Sequence, residues 1–218
     1  MFGNTKNVFW EALILTLVVF ILGFLLGMLV ETQRVDKINE YYLESEISLM
    51  DMFVFNNILN LENVSCEDLK ESSFSFADRI YEEALLLEDY EYAGKLNPGF
   101  LLVHKKYDLL RTFLWINTIK NFEKCDKNFN LVIYLYELNT ENLVEKAEQT
   151  VWSKILFDLK LKHKENVLLI PIAVDSNVSS LTSLLNRFEI SSFPAIILNE
   201  KKVITEISSL EDIEPFLI

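Results

Sequence analysis

The chain has 218 residues, half of them hydrophobic, with 33 acidic against 20 basic side chains and a formal net charge of -13. That length and apolar content supply the core of one domain of ordinary size plus an appendage. The acidic balance argues against nucleic acid or an anionic bilayer surface as the main partner, since both select clusters of Lys and Arg, and five glycines and four prolines leave little room for long flexible linkers.

Residues 1–11 form a short segment ahead of "ALILTLVVFILGFLLGMLV", residues 12–30, nineteen positions without a charge. At 1.5 Å rise per residue such a helix spans roughly 28 Å, about the thickness of bilayer hydrocarbon. The run is longer than a typical signal h-region, ends in Glu31 and Gln33, and precedes no small-residue cleavage site, so it reads as an uncleaved single-pass anchor with the membrane as first partner. Gly23 and Gly27 form a small-xxx-small pair suited to helix–helix association, although chance placement accounts for them equally well. Lys6 and the terminal amine before the run balance Arg34 and Lys37 after it, leaving orientation open on charge alone.

Residues 31–128 read as a helical stalk. In 35–60, Ile38, Leu43, Ile47, Met50 and Val54 predict an apolar stripe on a helix continuing from the membrane. Ser65 suits an N-cap, with Asp68 as a short-armed capping-box partner, and the helix it starts runs to about Tyr92 with Phe76, Ile80, Ala84 and Leu87 on one face. "GKLNPG", 94–99, supplies a turn, and Pro98 opens a third helix through Leu102, Tyr107, Leu110, Leu114, Trp115 and Ile119. Cys66 and Cys125 stand at the outer ends of these two helices, so an antiparallel hairpin brings them together. A disulfide there and a pair of separate buried thiols are both open. The anchor and the even cysteine count favour the bridge, and a bridge in turn implies an oxidising compartment.

From 129 to 218 the pattern changes. "NLVIYLYEL" is a strand, Glu141 to Lys164 a helix, "NVLLIPIAVD" a strand, "SSLTSLLNRFEI" a helix, "AIILNE" and "KKVITEI" a hairpin turning at Asn199 to Lys201, and "SLEDIEPFLI" a closing helix. The result is an α/β domain of order β-α-β-α-β-β-α.

This order, the strand ending Val174-Asp175, the helix ending Phe188-x-Ile190, the Phe193-Pro194 loop, the Asn199 turn and the terminal Ile213-x-x-Phe216-Leu217 resemble the thioredoxin-like fold family. An unrelated α/β domain with a trans proline is the alternative. The resemblance implies a cis Phe193-Pro194 bond and a groove for an extended peptide, lined by Phe193, Pro194 and Ala195 with the Asn139, Thr140, Glu141 to Val144 loop. It also implies a CxxC at the start of the first core helix, where the dipole and motif geometry activate a thiolate. Here those four positions are Glu141-Asn142-Leu143-Val144, and Ile133 and Tyr134 stand where many relatives carry a buried acid. Membrane-anchored prokaryotic proteins with a cysteine-bounded helical segment before such a domain are a further likeness.

Other constellations carry little. His104 and His163, flanked by lysines, read as solvated surface histidines rather than metal ligands. No glycine-rich phosphate loop is present, and neither metal nor cofactor is expected. The sequence thus leads to a plasma-membrane, single-pass protein whose extracytoplasmic thioredoxin-like domain binds a protein or peptide without redox catalysis. The alternatives are a thiol-disulfide oxidoreductase using Cys66 and Cys125 as its redox pair, or a structural subunit of a membrane complex.

Overall fold

A computed structural model describes residues 5–58, 64–92, 98–125 and 127–218. Residues 1–4, most of the expected 94–99 turn, and the side chains of Lys6, Arg34, Lys37, Ile38 and Leu87 lie outside the described set. The chain divides into two compact units, 1–48 and 49–218.

Helix α1, Thr5–Ile58, is continuous, so the boundary between the units falls inside it. Within it Phe9–Gln33 is long and apolar enough to cross a membrane, with a mean hydropathy of 3.0 and none of it buried. The stripe expected beyond the anchor is exposed: Leu43, Ile47, Met50 and Val54 are 58–66% accessible. Gly27 precedes Leu43 by 16 residues and Ile47 by 20, about 4.4 and 5.6 turns, so Gly27 lies on the face of α1 opposite Leu43 and Ile47.

In the second unit Ser65 begins α2, Cys66–Tyr92, its hydroxyl accepting from the Asp68 amide at 3.1 Å. Pro98 opens α3, Pro98–Lys124, at the position where a missing N–H costs nothing. Tyr107, Leu110, Leu114, Trp115 and Ile119 are buried as their spacing predicts, whereas Leu102 is 66% exposed and the next residue, the half-buried Val103, meets the core instead. The disulfide between Cys66 and Cys125 joins the start of α2 to the end of α3.

The sheet comprises β1 (Asn130–Tyr136), β2 (Val167–Ala173), β3 (Ala195–Leu198) and β4 (Lys202–Ile204), in the spatial order β2-β1-β3-β4. β1 runs parallel to β2 and antiparallel to β3, and β3 is antiparallel to β4. α4 (Leu143–His163) connects β1 to β2, and α5 (Ser179–Arg187) connects β2 to β3. Strand alternation divides the core. Leu131, Ile133, Leu135, Ile170 and Ile197 pack with α2, α3 and α5 on one face, while Val132, Tyr134, Val167 and Ile196 pack with Trp152, Leu156 and Leu159 of α4 on the other. β1 is therefore buried on both sides, which explains its unbroken apolar run.

The hairpin turns at Asn199 to Lys201 as the sequence predicts, while the end of the chain corrects the sequence reading. The β3–β4 turn centres on Asn199 and Glu200, with φ of 50° and 60°, and Lys201 N–H closes onto Leu198 O at 3.1 Å. Asn199 also braces β1: its Oδ1 accepts from the Leu131 amide and its Nδ2 donates to Asn130 Oδ1, both at 2.9 Å. The expected closing helix is instead two 3-10 turns, Leu210–Asp212 and Glu214–Phe216. Pro215 has no N–H for an α-helical bond and would crowd the carbonyl four residues earlier, while the Asp212 carboxylate accepts from the Ser208 and Ser209 amides and fixes a turn start.

β2 is an edge strand whose open side is closed to pairing. Val174 N–H bonds Tyr136 O on β1, so the alternate residues Leu169, Pro171 and Ala173 turn their backbone groups outward. Pro171 has no N–H to offer, and the Ala173 amide donates to Asp108 Oδ1 of α3 at 3.0 Å. A proline and a covering carboxylate are the devices by which sheet edges resist added strands.

Candidate functional site

β1 ends at Tyr136, and the loop that follows is held from three sides. Gln149 of α4, itself buried, accepts the Glu137 amide at 2.7 Å. Asp175, just beyond β2, accepts the Leu138 amide at 2.9 Å and the Asn139 amide and Nδ2 at 2.8 and 2.9 Å. Asn142 caps α4 through the Val144 amide at 3.0 Å, and Glu145 accepts from Thr140 Oγ1 at 2.7 Å and Asn142 Nδ2 at 2.9 Å. An asparagine N-cap with a glutamate three residues on satisfies the free donors of a helix start and complements its dipole. The sequence placed this start one or two residues early, at Glu141.

The bracing leaves the tip of α4 exposed. Leu143 is 81% and Val144 75% accessible, an apolar pair on a tightly held helix end. The Phe193–Pro194 bond is cis. Ala195 pairs with Leu135, which brings Phe193 and Pro194 to the same end of the sheet as the 137–142 loop. Phe193 is half-buried against the core, Pro194 and Ala195 are buried, and Asn139 and Glu141 are exposed with Thr140 between these extremes. Of the residues singled out from sequence, then, Asn139, Thr140 and Glu141 share one sheet end with Phe193, Pro194 and Ala195, but Ala195 has no side-chain surface for a ligand.

Chemically the site carries amides, carboxylates and apolar groups. Both cysteines are consumed by the disulfide. Cys125 precedes β1, and at about 3.3 Å per residue the strand separates its level from the loop after Tyr136 by roughly 20 Å. Tyr134, in the central strand, stacks on Tyr136 with centroids 5.4 Å apart and donates its hydroxyl to Gln149 O at 3.0 Å. Burial pushes its phenol pKa upward, so it stays protonated. Among the described residues no cluster of three or more His, Cys, Asp or Glu side chains is arranged to hold a metal ion.

A buried polar group beside this end escaped the sequence reading. Asp108 is fully buried and Arg111 nearly so, both on the face of α3 that carries Leu114 and Trp115. Burial raises the Asp108 pKa against the opposing effects of Arg111 and the Ala173 amide. His104, one turn earlier, is not the solvated residue its lysine neighbours suggested. It is half-buried, and burial first, then the Arg111 charge, lower its pKa from 6.5 to about 4, with Asp175 opposing. His163 lies at the surface within 3.2 Å of Glu214 Oε1, which Lys162 also reaches. The available signal for the buried group was phase, since Arg111 precedes Leu114 and Trp115 by three and four residues and so shares their face.

A pH dependence follows. His104 is neutral in the fold, so below pH 6.5 the unfolded chain binds a proton that the native chain refuses until about 4. Stability should therefore fall as pH drops from about 6.5 towards 4. The raised Asp108 value opposes this above 3.8. Urea midpoints at pH 7 and pH 5 should differ less in His104→Gln than in the wild type, and an unchanged difference would remove His104 from the account.

A scan against protein-family models finds no match to this chain, and no curated protein matches it in sequence.

Proposed function

We propose that this protein is a membrane-anchored, thioredoxin-like binding module without redox chemistry, which holds an extended segment of a protein partner against Leu143, Val144, Phe193 and Pro194. The observation that carries the reading is the exposed Leu143–Val144 pair on a tightly held helix start, within the four positions Glu141 to Val144 where a redox member of that family would carry its CxxC. The strand order β2-β1-β3-β4, the direction of each strand and the cis proline next to the same loop support the fold assignment. The Cys66–Cys125 bridge supports an oxidising compartment, hence a domain on the outer side of the plasma membrane.

Burying Leu143 and Val144 under a ligand is worth about 1.5–3 kcal/mol each, against 1.4 kcal/mol for a tenfold change in affinity. Leu143→Ser/Val144→Ser should therefore weaken binding of a fluorescein-labelled extended peptide, selected against the full chain from a random library, by at least tenfold. Phe193→Ala and Pro194→Ala should weaken it as well. Anisotropy titrations that superpose for wild type and all of these variants would sink the proposal.

A further inference from the structure

Between α2 and α4, along the outer edge of β2, lies a cleft of about 960 Å³. Ile80, Tyr81 and Leu85 of α2, Phe157 and Leu161 of α4 and Pro171 of β2 give it apolar walls. Arg111 also lines it. The Arg111 side chain is only 9% exposed, and its sole ion-pair partner among the described residues is Asp108 Oδ1 at 3.6 Å, beyond hydrogen-bond distance. That oxygen already accepts the Ala173 amide. A guanidinium has five N–H donors in a fixed fork, and leaving them without acceptors at such burial is costly.

The charge around the cleft runs against that of the whole chain. Arg111, Lys146, Lys154, Lys160 and Lys164 line it against Asp78, Glu137 and Glu165, five cations to three anions in a protein of net charge -13. Lys160 is engaged across the cleft, bonding Asp78 at 2.7 Å and lying over the Tyr81 ring at 5.6 Å. The cleft therefore favours an anion, and the nearby Asp108 carboxylate favours a monoanion over a phosphate dianion. A planar carboxylate matches the guanidinium fork in two parallel bonds.

An added peptide strand does not fit this cleft, because Pro171 and the Asp108-capped Ala173 amide deny it two of the outward donors of β2. A flexible apolar chain needs none of them. We infer that the cleft binds a small amphiphilic carboxylate, an aliphatic acid whose headgroup pairs with Arg111 and whose chain lies along Ile80, Leu85 and Phe157. Pockets of this size, mostly apolar with one placed polar anchor, are the usual form of small-molecule sites. This inference is independent of the peptide-binding end proposed above.

The test is calorimetric titration of the full chain in lipid nanodiscs with decanoate, decanol and decylamine, using empty nanodiscs as the blank. Decanoate should bind saturably at one per chain, with the alcohol and the amine at least tenfold weaker. Arg111→Met should weaken decanoate tenfold or more while leaving decanol unchanged. Because that variant strands Asp108 and can fail to fold, wild-type protein is also photolysed with decanoate carrying a terminal diazirine, which should label α2 and α4 beside the cleft. The inference is overturned by heats equal to the blank, by decanol binding as tightly as decanoate, by labelling confined to α1, or by an acidic peptide displacing the label where decanoate does not.

Discussion

Replacing Cys66 and Cys125 with serine should lower the unfolding free energy of the 49–218 unit by about 4 kcal/mol. The bridge joins residues 59 apart in sequence, and the chain-entropy account of a loop of that size gives a stabilisation of this order, acting chiefly by restricting the unfolded chain. It ties the capped start of α2 to the end of α3 immediately before the central strand, so the two long helices on that face of the sheet are held together at this end. Urea unfolding followed by Trp115 and Trp152, both fully buried, reads the loss, and the slope should rise because an uncrosslinked chain exposes more surface. A loss below about 1 kcal/mol would mean that packing already holds the helix ends. The packing available is the aromatic contact of Phe129 with Phe74 and Phe122, at centroid distances of 5.2 and 4.8 Å. The same proteins test the enzymatic alternative, since a bond that cycles with glutathione and supports insulin reduction would make the pair catalytic rather than structural.

The second large effect is expected at Asp108. Asp108→Ala removes the acceptor of the Ala173 amide and the countercharge of Arg111 together. Breaking a buried pair from one side typically costs about 3–5 kcal/mol, because the remaining charge stays in place unpaired. Asp108→Asn keeps an acceptor for the amide and should lose less. The double variant Asp108→Leu/Arg111→Met should recover most of the loss, since apolar replacement of both members of such pairs is often close to neutral. A double variant as unstable as Asp108→Ala would show that the amide cap on β2, rather than the charge pair, carries the energy. Freed of its cap, β2 should also become more prone to edge-to-edge association, which light scattering detects.

What could be read from the residues alone was what local chemistry dictates. Ser65 and Pro98 announced helix starts through capping and a dispensable N–H, and the β-branched and aromatic runs at Leu131 and Ile196 announced strands. Asn199 marked a turn because it tolerates positive φ. Long-range features were less visible. Asp108 and His104 look like ordinary polar residues of an amphipathic helix until β2 is laid beside α3, and only the tertiary fold converts them into an edge cap and a depressed histidine. The C-terminal segment shows helical spacing, but Pro215 and the Asp212 cap select separate 3-10 turns. The cleft between α2 and α4 joins segments about 80 residues apart, a distance that no sequence period spans. At the candidate site the 139–141 loop and Phe193–Pro194 were legible through their order in the chain, whereas the exposure of Leu143 and Val144 was not, because spacing alone cannot tell a packed helix start from a bare one.

The central claim is that an apolar, thiol-free helix tip and its neighbouring proline loop form the binding surface. The most direct measurement is a site-resolved crosslink: benzoylphenylalanine at position 143 of the full chain in nanodiscs, photolysed with the library-selected peptide and mapped by mass spectrometry. The account predicts a crosslink to the peptide that unlabelled peptide competes away and that Pro194→Ala reduces. No crosslink at 143, with the peptide still bound and recovered on a probe placed elsewhere on the domain, would contradict it.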